Sequence, residues 1–335
     1  MTAADASPGQ LGLATRPPIL EGALRLLKRY SFVFALLLFV VFFVINMIQS
    51  GGRLNIPNQL ANLAPTAIAA MASAPAIISG RGGFDLSISP TMVLCSGLYA
   101  AWFVTHGIDG VLAIVLMLAV GAAIGFINGA LIVGLRIPAV VATLSMYFIL
   151  IGVNLVVIET PVSVSGSPLA VFADSIGPIP GALLTIAFPL VVWALLGLTR
   201  YRSTLFAVGS NDITAYSAGI NVGLVRIGAY TLGGLFAGVA GVALIAVSNS
   251  ANANLSPTYA LPAVAAVALG GTSLLGGRGG LFGPVLGAAS IFLLGNILIS
   301  FQVNPSWLQV VYGVMLMISV VLVASASRAT SGVVK

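Results

Sequence analysis

The side chains that could carry out chemistry in this chain of 335 residues are few, and their types exclude most catalytic sites. The single histidine, His106, and the single cysteine, Cys95, rule out a histidine or cysteine metal cluster and an internal disulfide. A serine triad needs a histidine, and His106 is expected to be an ordinary loop residue. A nucleotide-binding P-loop needs a lysine followed by serine or threonine, but Lys28 precedes an arginine and Lys335 is the last residue. We therefore predict no catalytic residue, no metal site and no bound cofactor.

The acidic side chains provide no candidate site inside the membrane, because all seven fall in predicted tails, loops or helix ends. A proton relay inside a membrane is therefore not expected. Asp85 is the nearest to an exception, since it lies at the start of a predicted helix. We expect it either to cap that helix and pair with Arg81, four residues earlier, or to take part in gating.

Composition indicates what kind of elements must position these residues. Hydrophobic residues make up 59% of the chain and charged residues only 6%, against roughly 25% in soluble domains. A soluble fold of this size could not keep its surface polar with 13 basic and 7 acidic residues, and disordered or disulfide-rich chains have other compositions. We predict an all-α polytopic membrane protein with about ten transmembrane helices. The predicted spans are 32–49, 59–79, 87–105, 111–134, 139–158, 182–199, 227–248, 259–275, 282–300 and 307–325.

The basic residues predict the orientation of these helices. With a cytoplasmic N-terminus, every basic residue except Arg53 falls in a cytoplasmic tail or loop, as the positive-inside rule requires. Both termini are therefore expected to be cytoplasmic. The same residues are scattered singly, which argues against nucleic acid as a partner. The predicted regions are a disordered cytoplasmic tail at 1–16, an amphipathic helix on membrane lipid at 17–30, a transmembrane domain at 31–326 and a cytoplasmic tail at 327–335.

Uncharged amide side chains lie within the predicted spans and must find partners there. Such groups can line a path for a neutral polar solute. The candidates for the translocation path are Asn62, Asn128, Asn154 and Asn249. The alternative is that each of them forms hydrogen bonds between helices.

Two predicted loops are longer than the connections usual in helical bundles. Residues 159–181 are expected outside and contain no lysine or arginine, whereas residues 200–226 are expected inside. In the inner loop the run Ser-Asn-Asp at 210–212 is a good helix start, and Gly219 is a good helix stop. A short exposed helix is therefore predicted in the inner loop.

Three motifs carry a resemblance to a known family. They are RGGFDLSISP at 81–90, LFAVGSNDITAYSAGINV at 205–222 and YALPAVAAVALGGTSLLGGRGGLFGPVLGA at 259–288. Together with ATLSM at 142–146, they resemble the permease subunit of bacterial ATP-binding-cassette (ABC) sugar importers of the ribose, xylose and galactoside type. The resemblance covers about residues 30–325.

The resemblance implies an ABC importer permease fold in a bacterial inner membrane. It implies that residues 200–226 form the loop that receives the movement of a partner ATPase. The motif residues of this coupling loop are Gly209, Ser210, Asn211, Asp212, Ala218 and Gly219. Signature or gating residues by the same resemblance are Arg81, Asp85, Gly276, Gly277, Arg278 and Gly279. For the glycine cluster at 276–280, the alternative is tight packing at a helix turn.

The implied partners are two ABC ATPase subunits, a periplasmic solute-binding protein docked at residues 159–181, and a second permease copy, identical or different. The implied function is import of a sugar or related small polar metabolite by alternating access, with ATP hydrolysis on the partner. The alternative is a secondary transporter or channel for a small neutral solute. The resemblance does not name the sugar.

Overall fold

The computed structural model describes residues 31–304 and 307–317, and it is helical throughout except for short turns and strands. The predicted tails at 1–16 and 327–335 and the amphipathic helix at 17–30 lie outside these residues. The helices are α1 Ser31–Gln49, α2 Ile56–Ile78, α3 Ile88–Leu98, α4 Gly110–Gly134, α5 Ala139–Val157, α6 Ala182–Gly197, α7 Arg200–Ser210, α8 Asp212–Ser217, α9 Val222–Ser248, α10 Ser256–Leu269, α11 Phe282–Ser300 and α12 Trp307–Met317. Helix α3 continues through a π turn and a 3-10 turn as far as His106.

Among the described residues, 6 helices are long and apolar enough to cross a membrane, or up to 7 if α6 and α7 form one bent span. This confirms an all-α polytopic membrane protein. Three further predicted spans contain shorter apolar helices, at Phe34–Gln49, Ala253–Leu269 and Trp307–Met317. The total of about ten spans and the cytoplasmic termini therefore stay predictions.

Helix α10 is shorter than the span predicted at 259–275, because it ends at Leu269. Its 14 residues rise about 21 Å, less than the roughly 30 Å of a hydrocarbon core. The backbone beyond the helix completes the distance. Residues just before α10 pair with the outer loop, and the amide of Gly277 just after it donates to the carbonyl of Ile78 at the opposite end of α2, at 3.0 Å. Irregular backbone of this kind is tolerated at membrane depth when protein surrounds it.

The bundle has a central layer and a peripheral layer. Helices α2 and α9 form the centre, since α2 packs against α9, α10 and α11, and α9 also packs against α3 and α4. Of the most apolar stretch in each helix, 89% is buried in α2 but only 28% in α4 and 22% in α5. The most apolar helices are thus the exposed ones, as expected where lipid is the solvent.

The outer loop at 159–181 is folded onto the ends of the bundle. Its strand β1 (Val162–Ser163) pairs with β4 (Ser250–Ala251), which follows α9, and the strands β2 (Ser175–Ile176) and β3 (Ile179–Pro180) form a small hairpin. The Tyr99 hydroxyl, at the end of α3, donates to Oδ1 of Asp109 at 2.6 Å and contacts the hydroxyl of Ser167 in the loop. The loop is therefore held by paired strands and by side-chain hydrogen bonds.

At the opposite end of the bundle, the chain bends by 89° between α6 and α7. Thr199 caps the start of α7, with its hydroxyl accepting from the amide of Tyr201 at 3.3 Å. The guanidinium of Arg202 lies over the ring of Trp193, 5.1 Å from its centre, which ties the two helices together. The inner loop predicted at 200–226 therefore contains the helix α7 as well as a second short helix.

A candidate coupling site where three motif segments meet

The short helix predicted in the inner loop is confirmed as α8, Asp212–Ser217. Asn211 is its N-cap, and its Oδ1 accepts from the amide of Thr214 at 3.0 Å. Gly219 ends it in the left-handed region, with φ of 81°. Ala218, the C-cap residue, donates its amide to the Thr214 carbonyl at 3.0 Å. A helix cap depends only on residues that are neighbours in the chain, which is why the sequence alone predicted this helix.

The side chains of α8 that face solvent are apolar, which was not predicted. Ile213 is 71% exposed and Tyr216 is 74% exposed, and they lie three residues apart on the same face. Nearby, Leu224 at the start of α9 is 64% exposed. The sequence did contain a signal for this exposed apolar face, namely two large apolar residues at helical spacing inside a polar loop. An exposed apolar patch rimmed by polar residues is typical of a protein interaction site.

Four glycines bring the three motif segments together, and we call them the glycine junction: Gly80, Gly209, Gly276 and Gly277. The junction lies where the turn after α2, the end of α7 and the turn before α11 touch through their backbones. A Cβ on Gly209 would overlap the carbonyl oxygen of Ile78 and lie 2.6 Å from the amide nitrogen of Gly277. No side chain fits there, so these elements are in direct backbone contact.

Asp212 ties the junction to a central helix through two arginines. Its Oδ2 accepts a hydrogen bond from a terminal nitrogen of Arg226 at 3.0 Å and forms an ion pair with Arg81, whose Nε lies 2.7 Å away. Arg81 is in the turn after α2, whereas Arg226 is in the first turns of α9. The side chain of Arg226 is 14% exposed and that of Arg81 is 68% exposed, so the pair with Arg226 is the less screened one.

The predicted pair between Asp85 and Arg81 is wrong, because Arg81 binds Asp212 instead. Residues four apart share a face only on a helix, and this segment is a turn in which Arg81 has φ of 53°. Asp85 is not the N-cap of α3 either, because that position belongs to Ser87, which has no side-chain cap hydrogen bond. The gating alternative for Asp85 stays a prediction. Oδ1 of Asp85 accepts from the amide of Ser87 at 3.0 Å and from the hydroxyl of Ser87 at 2.7 Å, just before α3. Burial raises the pKa of the Asp85 carboxyl above its ordinary value, against the opposing effect of these hydrogen bonds.

The four path candidates divide into two pairs. Asn128 and Asn154 are fully buried and join helices. Nδ2 of Asn128 donates to the hydroxyl of Ser87 at 2.7 Å, and Nδ2 of Asn154 donates to the carbonyl of Pro90 at 3.0 Å. These contacts favour interhelical hydrogen bonding for this pair. Asn62 and Asn249 are exposed, Asn62 near the outer end of α2 and Asn249 at the end of α9 with φ of 48°, so the path role stays a hypothesis for them.

The remaining signature residues form tight turns. The hydroxyl of Ser210 donates to the carbonyl of Phe206 at 2.8 Å, and Ser210 itself lies against Gly277. The carbonyl of Arg278 accepts from the amide of Ser273 at 3.1 Å, and Gly279 packs against the side chain of Thr272. These contacts favour the packing alternative for Gly276, Gly277 and Gly279. A gating role for Arg278 stays a prediction.

The sequence of the chain matches that of a known permease family. Residues 55–320 match the sequence profile of the family described as branched-chain amino acid transport system, permease component. The chain belongs to this permease family. The match includes all three motif segments, and it also includes Gly80, which lies directly before the first motif and completes the glycine junction.

Individual relatives include sugar import permeases. The chain is 33% identical over 268 residues to the ribose import permease protein RbsC of Escherichia coli K12, covering 76% of this chain and 81% of that one. It is 30% identical over 263 residues to the fructose import permease protein FrcC of Rhizobium meliloti, covering 75% and 72%. It is 32% identical over 295 residues to the probable ABC transporter permease protein YphD of Escherichia coli K12, covering 85% and 87%. These relatives confirm the resemblance seen in the sequence. No solved structure matches the chain.

Proposed function

We propose that this protein is the transmembrane permease subunit of an ATP-driven importer in a bacterial inner membrane. It carries a sugar or a related small polar metabolite delivered by a periplasmic solute-binding protein. Two copies of the permease, identical or different, enclose the solute path. Two ABC ATPase subunits bind the inner face and switch the path between outward and inward access. ATP is hydrolysed on those partners and not on this chain.

The glycine junction is the observation that carries this proposal. The backbone of Gly209 lies against Ile78 at the end of α2 and against Gly277 before α11. Asp212 of α8 is ion-paired to Arg226 of α9. A displacement of the α7–α8 segment would therefore act directly on both central helices. A solute channel without a motor has no use for such a connection.

The exposed apolar face of α8 supports a protein partner at the same place. Ile213 and Tyr216 project from a helix of six residues, too short to be stable in water without packing. We propose that these two side chains insert into a groove on the ATPase subunit. The ion pairs of Asp212 then connect that contact to the bundle.

An open cavity between α5, α10 and α12 is our candidate for one wall of the solute path. Its volume is about 300 Å³. Among its lining residues are the phenol groups of Tyr147 and Tyr312, the hydroxyl of Thr258 and the amide of Gln309. Hydroxyl and amide groups on an otherwise apolar wall suit a weakly held, uncharged polyhydroxy solute.

The test is uptake by vesicles that contain the purified permease together with its ATPase subunits. Labelled ribose, fructose and galactose are supplied outside with the solute-binding protein, and ATP is sealed inside. We expect uptake of one of these sugars that requires both ATP and the binding protein. Uptake that persists without the ATPase subunits would contradict the proposal and would support a secondary transporter or channel. Sugar affinities of the binding protein, measured by thermal shift, then narrow the substrate class.

A further inference from the structure

A second site lies beside the glycine junction, in a cavity with a volume of about 390 Å³. Three separate parts of the chain form its walls: the turn after α2, the turn between α4 and α5, and the first turns of α9. Each part contributes one arginine, namely Arg81, Arg136 and Arg226. Among the described residues no acidic side chain lines the cavity, although the buried carboxylate of Asp85 interacts electrostatically with Tyr230 of the wall. Arg81 and Arg226 form ion pairs with the carboxylate of Asp212, which does not itself line the cavity.

The arginines leave a net positive charge at the cavity. Arg81 and Arg226 share the single carboxylate of Asp212. Arg136 is exposed, with φ of 57°, and has no ion-pair partner in the part of the chain that the structure describes. Three guanidinium groups around one carboxylate have unused donors. Guanidinium groups bind phosphate through paired, charge-assisted hydrogen bonds.

Two buried donors in this wall have no acceptor. The hydroxyl of Tyr230 is buried without a hydrogen-bond partner, and Tyr230 as a whole is only 1% exposed. Nε of Arg226 is also buried without a partner. A buried donor left unpaired costs about 1–3 kcal/mol, so two in one cavity wall indicate a missing acceptor. Nε of Arg226 can only donate, whereas the hydroxyl of Tyr230 can donate or accept, so one acceptor between them would satisfy both groups.

We propose that this cavity is a binding site for a phosphate group, carried either by a lipid headgroup or by a free phosphorylated compound. The hydroxyl of Tyr230 and Nε of Arg226 donate to the phosphate oxygens deep in the cavity, and Arg136 binds from the exposed side. Arg81 and Arg226 also bind Asp212 of α8. The anion therefore shares its donors with the helix that we propose receives the ATPase movement.

The experiment uses the full-length permease in nanodiscs and has two arms. In the first arm the nanodiscs contain only phosphatidylcholine, and inorganic phosphate is added against potassium chloride of equal ionic strength. In the second arm no phosphate is added, and phosphatidylglycerol replaces part of the phosphatidylcholine. The unfolding temperature is measured in both arms, since a ligand that binds only the folded state raises it.

Four proteins are compared in each arm. Tyr230→Phe removes only the unpartnered hydroxyl and should fold as the wild type does. Arg136→Gln removes the exposed charge of the site. Arg200→Gln is the matched control, because Arg200 is an exposed arginine at the start of α7 and does not line the cavity. The wild type completes the set.

We expect at least one arm to raise the unfolding temperature of the wild type and of Arg200→Gln equally. Tyr230→Phe and Arg136→Gln should each weaken the apparent affinity by about tenfold. A response confined to the phosphate arm identifies a free phosphate compound, and one confined to the phosphatidylglycerol arm identifies a lipid headgroup. Equal responses of all four proteins, or no response in either arm, would overturn the proposal. Water would then satisfy the two buried donors.

Discussion

The two ends of this protein are held together in different ways. At the end that we predict to be cytoplasmic, the inner end, glycines bring three distant segments into direct backbone contact, with no side chain between them. At the end that we predict to be periplasmic, the outer end, loop 159–181 is attached by a two-residue strand pair and by a hydrogen bond between the hydroxyls of Tyr99 and Ser167. Backbone contact between rigid elements transmits a displacement with little loss, because packed interiors have low compressibility. A hydrogen bond from one buried tyrosine holds the loop at a single point, and it leaves the exposed remainder of the loop able to adapt to a partner.

The largest effect is expected from adding one methyl group to the inner contact. In Gly209→Ala the new Cβ overlaps the carbonyl of Ile78, so α7 must move away from α2. Overpacking of this kind costs about 1–3 kcal/mol, and we expect ATP-dependent uptake to fall by about tenfold while ATPase activity persists. Uptake and ATP hydrolysis are measured on the same vesicles.

The matched control is Gly152→Ala on α5, where a Cβ meets no atom within 4 Å. It makes the same chemical change on an exposed helix and should leave uptake unchanged. If Gly209→Ala transports as well as Gly152→Ala does, the inner contact does not transmit movement, and the contrast between the two ends disappears.

An intermediate effect is expected from the ion pairs of the inner end. Asp212→Asn keeps the side-chain shape but removes the charge that binds Arg81 and Arg226. Hydrogen bonds to charged groups are worth about 1.5–3 kcal/mol, and the exposed pair with Arg81 contributes the smaller share. We expect uptake to fall several-fold, with normal membrane insertion. Asp174→Asn, in the exposed outer loop, is the control and should transport normally. Equal uptake by both variants would mean that α8 acts without its ion pairs.

The smallest effect is expected from the outer end. Tyr99→Phe removes the hydroxyl that binds Asp109 and Ser167 but keeps the buried ring. We expect a loss of about 1 kcal/mol in stability, seen as a lower unfolding temperature, and less than a twofold change in uptake. A tenfold loss of uptake would show that the outer end also needs a fixed geometry, and the contrast between the ends would then be wrong.

Local signals in the sequence predicted the features that depend on local physics. The caps at Asn211 and Gly219 predicted helix α8, because a cap is satisfied by residues close in the chain. The span predicted at 139–158 agrees with α5, because the transfer of an apolar segment into lipid depends on that segment alone. The span predicted at 259–275 was less accurate, since its last six residues, 270–275, lie beyond the helix in a turn that begins with two glycines and that only surrounding protein makes tolerable.

Contacts between residues far apart in the chain could not be predicted from the sequence. Arg81 is 131 positions from Asp212 in the chain, and nothing in their local sequences favours this partner over Asp85. The partners of Asn128 and Asn154 likewise come from other helices. In an apolar bundle these few polar contacts depend on how the helices are packed.

The sequence by itself determined that this protein is a polytopic membrane permease of a sugar-importer type. Composition places its helices in lipid, and three motifs identify the family. Only the tertiary structure decided what the motifs do together: their glycines meet at one backbone junction, their Asp212 joins α8 to α9, and three arginines surround one cavity. The physical reason is the separation along the chain over which each interaction acts. Hydrophobicity and capping act within one segment, whereas close packing and charge pairing act between segments that only the fold brings together.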